Sequence, residues 1–121
     1  MINALFVGLG GFIGAISRYL ISMYSSKIFI FKIPIGTLFV NVVGGLLIGI
    51  VMEMNSKTNL ISPHLKLFLT TGLMGGLTTF STFSYETINL MQEGSYLLGC
   101  LNIFLNVSLS LFGVFISRYI I

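Results

Sequence analysis

Charge is what this sequence has least of. Only 7% of its 121 residues are Asp, Glu, Lys or Arg, against about 25% in a soluble domain. So few charges cannot cover a water-facing surface, which leaves lipid as the solvent. The acidic groups are Glu53, Glu86 and Glu93 alone, each toward the end of an apolar run. The basic residues give a net charge of +3, but they are scattered. A nucleic-acid binder gathers such charge into one patch, so no nucleic-acid partner is read from it. The lone cysteine, Cys100, lies inside an apolar run. It forms no intrachain disulfide, and no metal-ligand spacing is present. The opening MINALFVGLGG has no positively charged leader, so it reads as a retained span and not as a cleaved signal. Within it, GLGGFIG fails the pattern G-x-G-x-x-G because Ile13 takes the final glycine position, which excludes a dinucleotide site.

What remains is apolar: 55% of residues are hydrophobic, and the mean hydropathy is +1.03. A membrane helix needs about 20 mostly apolar residues. Windows of that kind fall at roughly 2–24, 33–54, 62–92 and 94–121. This predicts an all-α integral membrane protein with one four-helix transmembrane domain and no soluble domain. Pro34 is expected in the first turn of the second span, where its missing N–H is harmless. Four spans place both termini on one side. Lys57, Lys66 and Arg118 then share that side, and Lys27, Lys32 and Arg18 lie opposite. Lys/Arg bias normally sets orientation, and here there is none. Either partners or lipids fix one orientation despite the tie, or the chain inserts both ways, which permits an antiparallel homodimer.

Glycines stand four apart at Gly10/Gly14, Gly45/Gly49 and Gly72/Gly76. Small residues at that spacing let helix backbones approach closely. Polar residues also recur where lipid makes them costly. Thr37 and Asn41 share a face of the second span, and Asn102, Asn106 and Ser110 share a face of the fourth. The third carries Thr78, Thr79, Ser81, Thr82 and Ser84. All are neutral hydrogen-bond donors that must face protein or a water-filled cavity. Any single hydroxyl is explained by interhelical bonding or by a bond back to its own helix. A stripe three turns long reads better as a path. With no carboxylate at the middle of the stripes, a donor-lined path suits an anion and not a cation. Phe80 and Phe83, three apart, share a face and offer positive ring edges to such an ion. The pair Gly75–Gly76 is expected to break the third helix near its middle and free carbonyls there, which can hold a cation.

Three segments together, GGFIGAISRY (residues 10–19), GTLFVNVVG (residues 36–44) and GLMGGLTTFSTFSYE (residues 72–86), resemble the Fluc (CrcB-type) fluoride channels over nearly the whole chain. The third segment is the most specific. The resemblance implies an antiparallel dual-topology homodimer in the cytoplasmic (inner) membrane, with two pores that passively export fluoride from a microbial cell and so protect it. It implies that Phe80 and Phe83 meet the ion by their ring edges, that Asn41 lines the pore, and that Thr37, Ser81 and Thr82 are hydroxyl partners. Asn102, Asn106 and Ser110 would form the fourth-span polar track, and Arg18 would stand in the pore vestibule or anchor the helix. A structural Na+ at the dimer centre would be held by backbone carbonyls at Gly75 and Thr78.

Other readings of a four-span chain of this length are a dual-topology multidrug exporter and a non-transporting assembly subunit. The exporter needs a membrane-buried carboxylate for proton exchange, and the first span has none. The subunit leaves the polar stripes as glue.

Overall fold

Apolar runs free of internal proline favour long helices, and two open the chain: α1 (Ile2–Ile28) and α2 (Ile35–Thr58). The fold comes from a computed structural model that describes residues 1–121. Pro34 takes the N-cap position in an extended conformation, one residue ahead of the helical turn in which the sequence places it. The difference is small because proline is tolerated at either place for want of an N–H. α2 stops at Asn59, whose left-handed backbone (φ 55°) closes the helix end. Ser62 then starts the next element: its hydroxyl accepts the Leu65 N–H at 3.2 Å, and Pro63 follows at the first helical position.

The third apolar run is in pieces. It comprises α3 (Pro63–Leu67), a π-helical stretch (Phe68–Met74), α4 (Gly75–Leu77) and α5 (Phe80–Gln92). A turn at Gly94 (φ 87°) leads to α6 (Tyr96–Ile120). α1, α2 and α6 are each long and apolar enough to cross a membrane. The break does occur in the third run, but not at Gly75–Gly76. Those residues are helical, and the backbone becomes extended at Thr78 and Thr79. Two threonines explain this better than two glycines. The Thr78 hydroxyl bonds back to the Met74 carbonyl at 2.9 Å. The Thr79 hydroxyl caps the Thr82 N–H at 3.2 Å and so restarts the helix. The preceding π-helical stretch has no counterpart in the sequence reading.

The glycines serve packing, as their spacing predicts. α1 lies along the π-helical stretch and α4, with Gly10 and Gly14 facing Gly72 and Gly76. A methyl group on Gly76 would come within 2.6 Å of the Gly11 carbonyl oxygen, and one on Gly72 within 2.7 Å of Val7 O. Gly45 meets the Ser110 backbone and Gly49 the Ser117 side chain where α2 packs on α6. Between these pairs sits a small core of Val40, Met74 and Leu77. Only 18 of 121 residues are buried, so most side chains are left for lipid or for another copy. Replacing Gly14 by Leu is expected to destroy the folded protein, since its Cβ runs into the Leu73 carbonyl, whereas Gly8→Ala, with nothing near it, should leave it unchanged. Monodispersity and thermal unfolding in detergent would check this, with the clash expected to cost at least ~1–3 kcal/mol.

Candidate functional site

The break at Thr78–Thr79 withdraws backbone groups from helical pairing, and each then needs another partner. Asn41 on α2 supplies two bonds. Its Oδ1 accepts the Thr79 N–H at 2.9 Å, and its Nδ2 donates to the Thr79 carbonyl at 3.2 Å. Arg18 on α1 supplies another, donating from Nε to the Gly76 carbonyl at 3.0 Å. The Thr79 N–H that would reach Gly75 O in a continuous helix is therefore committed to Asn41. Arg18 and Asn41 reach the same interruption from two different helices, α1 and α2.

From Asn41 a line of amides runs into α6. Asn41 Nδ2 donates to Asn106 Oδ1 at 2.9 Å, and Asn106 Nδ2 donates to Asn102 Oδ1 at 3.1 Å. Asn102 Nδ2 then donates to Thr87 Oγ1 at 2.9 Å, and that hydroxyl donates to the Phe83 carbonyl at 2.8 Å. Asn102, Asn106 and Thr87 are buried. The line thus ties α2, α6 and α5 together and ends beside Phe83. Amides that donate and accept at once suit such a chain, since each side chain offers both functions.

A cavity of about 440 Å³ opens beside the break, with Asn41, Gly75, Thr78, Phe80, Phe83, Asn106 and Ser110 among its lining residues and no charged side chain. Most of the residues singled out in the sequence therefore meet. The rings of Phe80 and Phe83 lie 5.6 Å apart at 57°. Phe83 is buried, whereas Phe80, at 78% exposed, stands at the lip. The Ser110 hydroxyl is buried without a hydrogen-bond partner.

Other expected residues lie elsewhere in the single chain. Asn102 is sealed behind the cavity, and Ser81 is exposed and Thr82 half-buried outside it. Thr37 is buried in a second cavity of about 300 Å³, shared with Glu86. Sequence reasoning left Thr79 and Thr87 out of the site. The available signal was their spacing, because Thr79, Phe83 and Thr87 stand four apart and share one face. Asn106→Leu is expected to leave Asn41 Nδ2 and Asn102 Oδ1 short of partners and to destabilise the protein by about 1–3 kcal/mol. Ser108→Ala removes only a bond to its own helix and should cost far less. Unfolding titrations in mixed micelles would compare the two.

Comparison with known proteins places these features in a family. The family model described as "CrcB-like protein, Camphor Resistance (CrcB)" matches residues 5–118. The chain is 61% identical over 118 residues to a Clostridium novyi (strain NT) protein named fluoride-specific ion channel FluC, covering 98% of this chain and 92% of that one. It is 49% identical over 121 residues to a protein of the same name from Shewanella sp. (strain ANA-3), covering 100% of this chain and 97% of the relative. Matched over nearly its full length, this chain belongs to the CrcB family.

Proposed function

We propose that this chain is a passive, fluoride-selective channel, a multi-pass protein of the cell membrane and not an enzyme. One observation carries the reading. The cavity beside the break sets the amides of Asn41 and Asn106, the hydroxyls of Thr78, Thr79 and Ser110 and the rings of Phe80 and Phe83 among aliphatic side chains and glycines, with no acidic or basic side chain, in a chain whose relatives are named fluoride-specific ion channels.

Fluoride is small and strongly hydrated, and leaving water is costly unless other groups replace its shell. Donors can replace it here. The Ser110 hydroxyl has no partner within the chain, so it can turn its proton to an anion. Both N–H groups of Asn41 are engaged. An anion at Asn41 takes the place of Asn106 Oδ1, and the amides behind it re-pair along the line. Phe83 and Phe80 offer positive edges that attract the ion without holding it tightly. Thr37, Ser81 and Thr82, which lie outside this cavity in the single chain, would join the route where a second copy covers its open side, and Asn102 acts from behind through its bond to Asn106. Arg18, part-buried with its Nε on Gly76 O, adds positive potential near the mouth.

The pore needs a second copy. An extended backbone segment at bilayer depth is tolerated only when protein or a water-lined cavity covers it, and the cavity is open at the lip formed by Phe80. The balanced Lys/Arg count supports an antiparallel homodimer with one pore associated with each copy, each chain crossing the membrane four times as a single domain. The break also suits a resident Na+. A hard cation takes carbonyl oxygens, and the Gly75 carbonyl has lost the Thr79 N–H as its helical donor. Gly75 and Thr78 of each copy would hold the ion at the dimer centre, where it would supply a fixed positive charge that draws the two breaks together.

A proton-coupled exporter is the second reading, because one half-buried carboxyl has no ion-pair partner. Glu86 faces Thr37, and its Oε1 has no partner. Liposomes loaded with potassium fluoride, treated with valinomycin and followed by a fluoride electrode separate these readings. Rapid fluoride loss with negligible chloride loss is expected. Drug-coupled proton flux would support the exporter, and no flux would support a subunit. Phe83→Ile and Asn41→Asp are each expected to cut fluoride efflux about tenfold or more, the effect of ~1.4 kcal/mol on a barrier. Normal rates in both would remove the ring edge and the amide from the pathway. Two lysines added at one end should bias insertion and lower activity, and co-expression of the oppositely biased variant should restore it. Failure of that rescue would argue for a parallel assembly.

A further inference from the structure

The connection between α1 and α2 is unlike an ordinary loop. Connections are commonly built from polar, Gly and Pro residues, yet this one opens on FIFK, from Phe29 to Lys32, directly after Lys27 and Ile28 at the end of α1. Ile30 is 98% exposed and Phe31 66%, with Ile28 and Phe29 also exposed. The two phenyl rings stack on each other at 6.1 Å, so they present one continuous apolar surface. Phe29, Ile30 and Phe31 rim a cavity whose other lining mixes Ile33, Pro34 and Ile35 with serines of α1, Thr37 and Glu86, and their exposure shows that it does not cover them. Lysine stands at both ends of the cluster, and Lys27 Nζ lies 5.9 Å from the centroid of the exposed Tyr24 ring.

We propose that this loop is an interfacial anchor that seats its Ile-Phe cluster in the acyl boundary and selects anionic phospholipid through Lys27 and Lys32. The position fits, since the loop joins two helices long enough to span a bilayer and therefore lies at headgroup depth. Tyrosine, here Tyr24, concentrates at that level, phenylalanine and isoleucine bury just beneath it, and lysines beside it attract anionic headgroups. Charge complementarity chooses the occupant. Neither lysine has a carboxylate partner: the chain's one ion pair joins Lys57 to Glu53, which leaves both ammonium groups free for phosphate. The anchor stands whether or not the chain conducts fluoride.

The chain contains no tryptophan, so Phe31→Trp gives a unique reporter in an otherwise intact protein, and Ile30→Trp serves if the first fails to reconstitute. The full chain would be placed in vesicles of mixed phosphatidylcholine and phosphatidylglycerol, with one lipid or the other brominated on its acyl chains. Equal composition of both leaflets makes the result independent of insertion direction. Emission should be blue-shifted, quenched by brominated lipid, and quenched preferentially by the phosphatidylglycerol. That preference should fall about fivefold for each of Lys27→Gln and Lys32→Gln, while overall acyl quenching persists. Unquenched emission, whether from a loop in water or one covered by a second copy, would overturn the anchor. Equal quenching by the two lipids would overturn the anionic selectivity.

Discussion

A broken helix in a bilayer must find substitutes for every hydrogen bond it gives up, because lipid supplies none. That constraint organises this protein. The side chain of Asn41 makes two bonds to Thr79 and so does for the break what a neighbouring strand would do in a sheet. Arg18 takes the Gly76 carbonyl, and the Thr79 hydroxyl restarts the helix. Because an amide both donates and accepts, satisfying the break also creates a line of further amides through Asn106 and Asn102 to Thr87. The polar interior follows from the interruption and from the need to stabilise it.

The glycine contacts make that arrangement possible. Between α1 and the pieces of the third run, backbones approach as side chains would not allow, and this brings Arg18 within reach of Gly76. Between α2 and α6, Gly45 and Gly49 let Asn41 come within one hydrogen bond of Asn106. Close packing and polar connection are thus two aspects of the same interfaces. Outside them the chain buries little, and the cavity stays open at the lip formed by Phe80.

Much of this was legible in the sequence. Apolar length gave the long helices, and spacing by four gave both the glycine contacts and the polar stripes, since the helical period sets which side chains can touch. The meeting of Asn41, Phe80, Phe83, Asn106 and Ser110 in one cavity followed from those faces. The position of the break did not. Glycine pairs loosen a helix, but threonines that bond backward and cap forward terminate one, and both kinds of residue stood within a few positions of each other. The partners of Asn41 and Arg18 were also hidden, because bonds across 38 and 58 residues leave no periodic trace. Likewise, a polar stripe does not reveal whether its members bond to one another or remain free. Asn102 and Asn106 proved to be bonded, and Ser110 did not.

The stretch Phe68–Met74 carries a consequence of its own. A π-helix accommodates more residues per turn than an α-helix, so the angular phase of everything after it is offset from that of α3. Gly76 meets α1, and Leu77 meets Val40 of α2, in that offset phase. Losing one residue from the stretch would turn the following segment by about 100° and carry the threonines of the break away from Asn41, with every side chain there still present. Length in this region is therefore as tightly constrained as composition, and an alignment that tolerates a gap here would misassign the face that looks into the cavity.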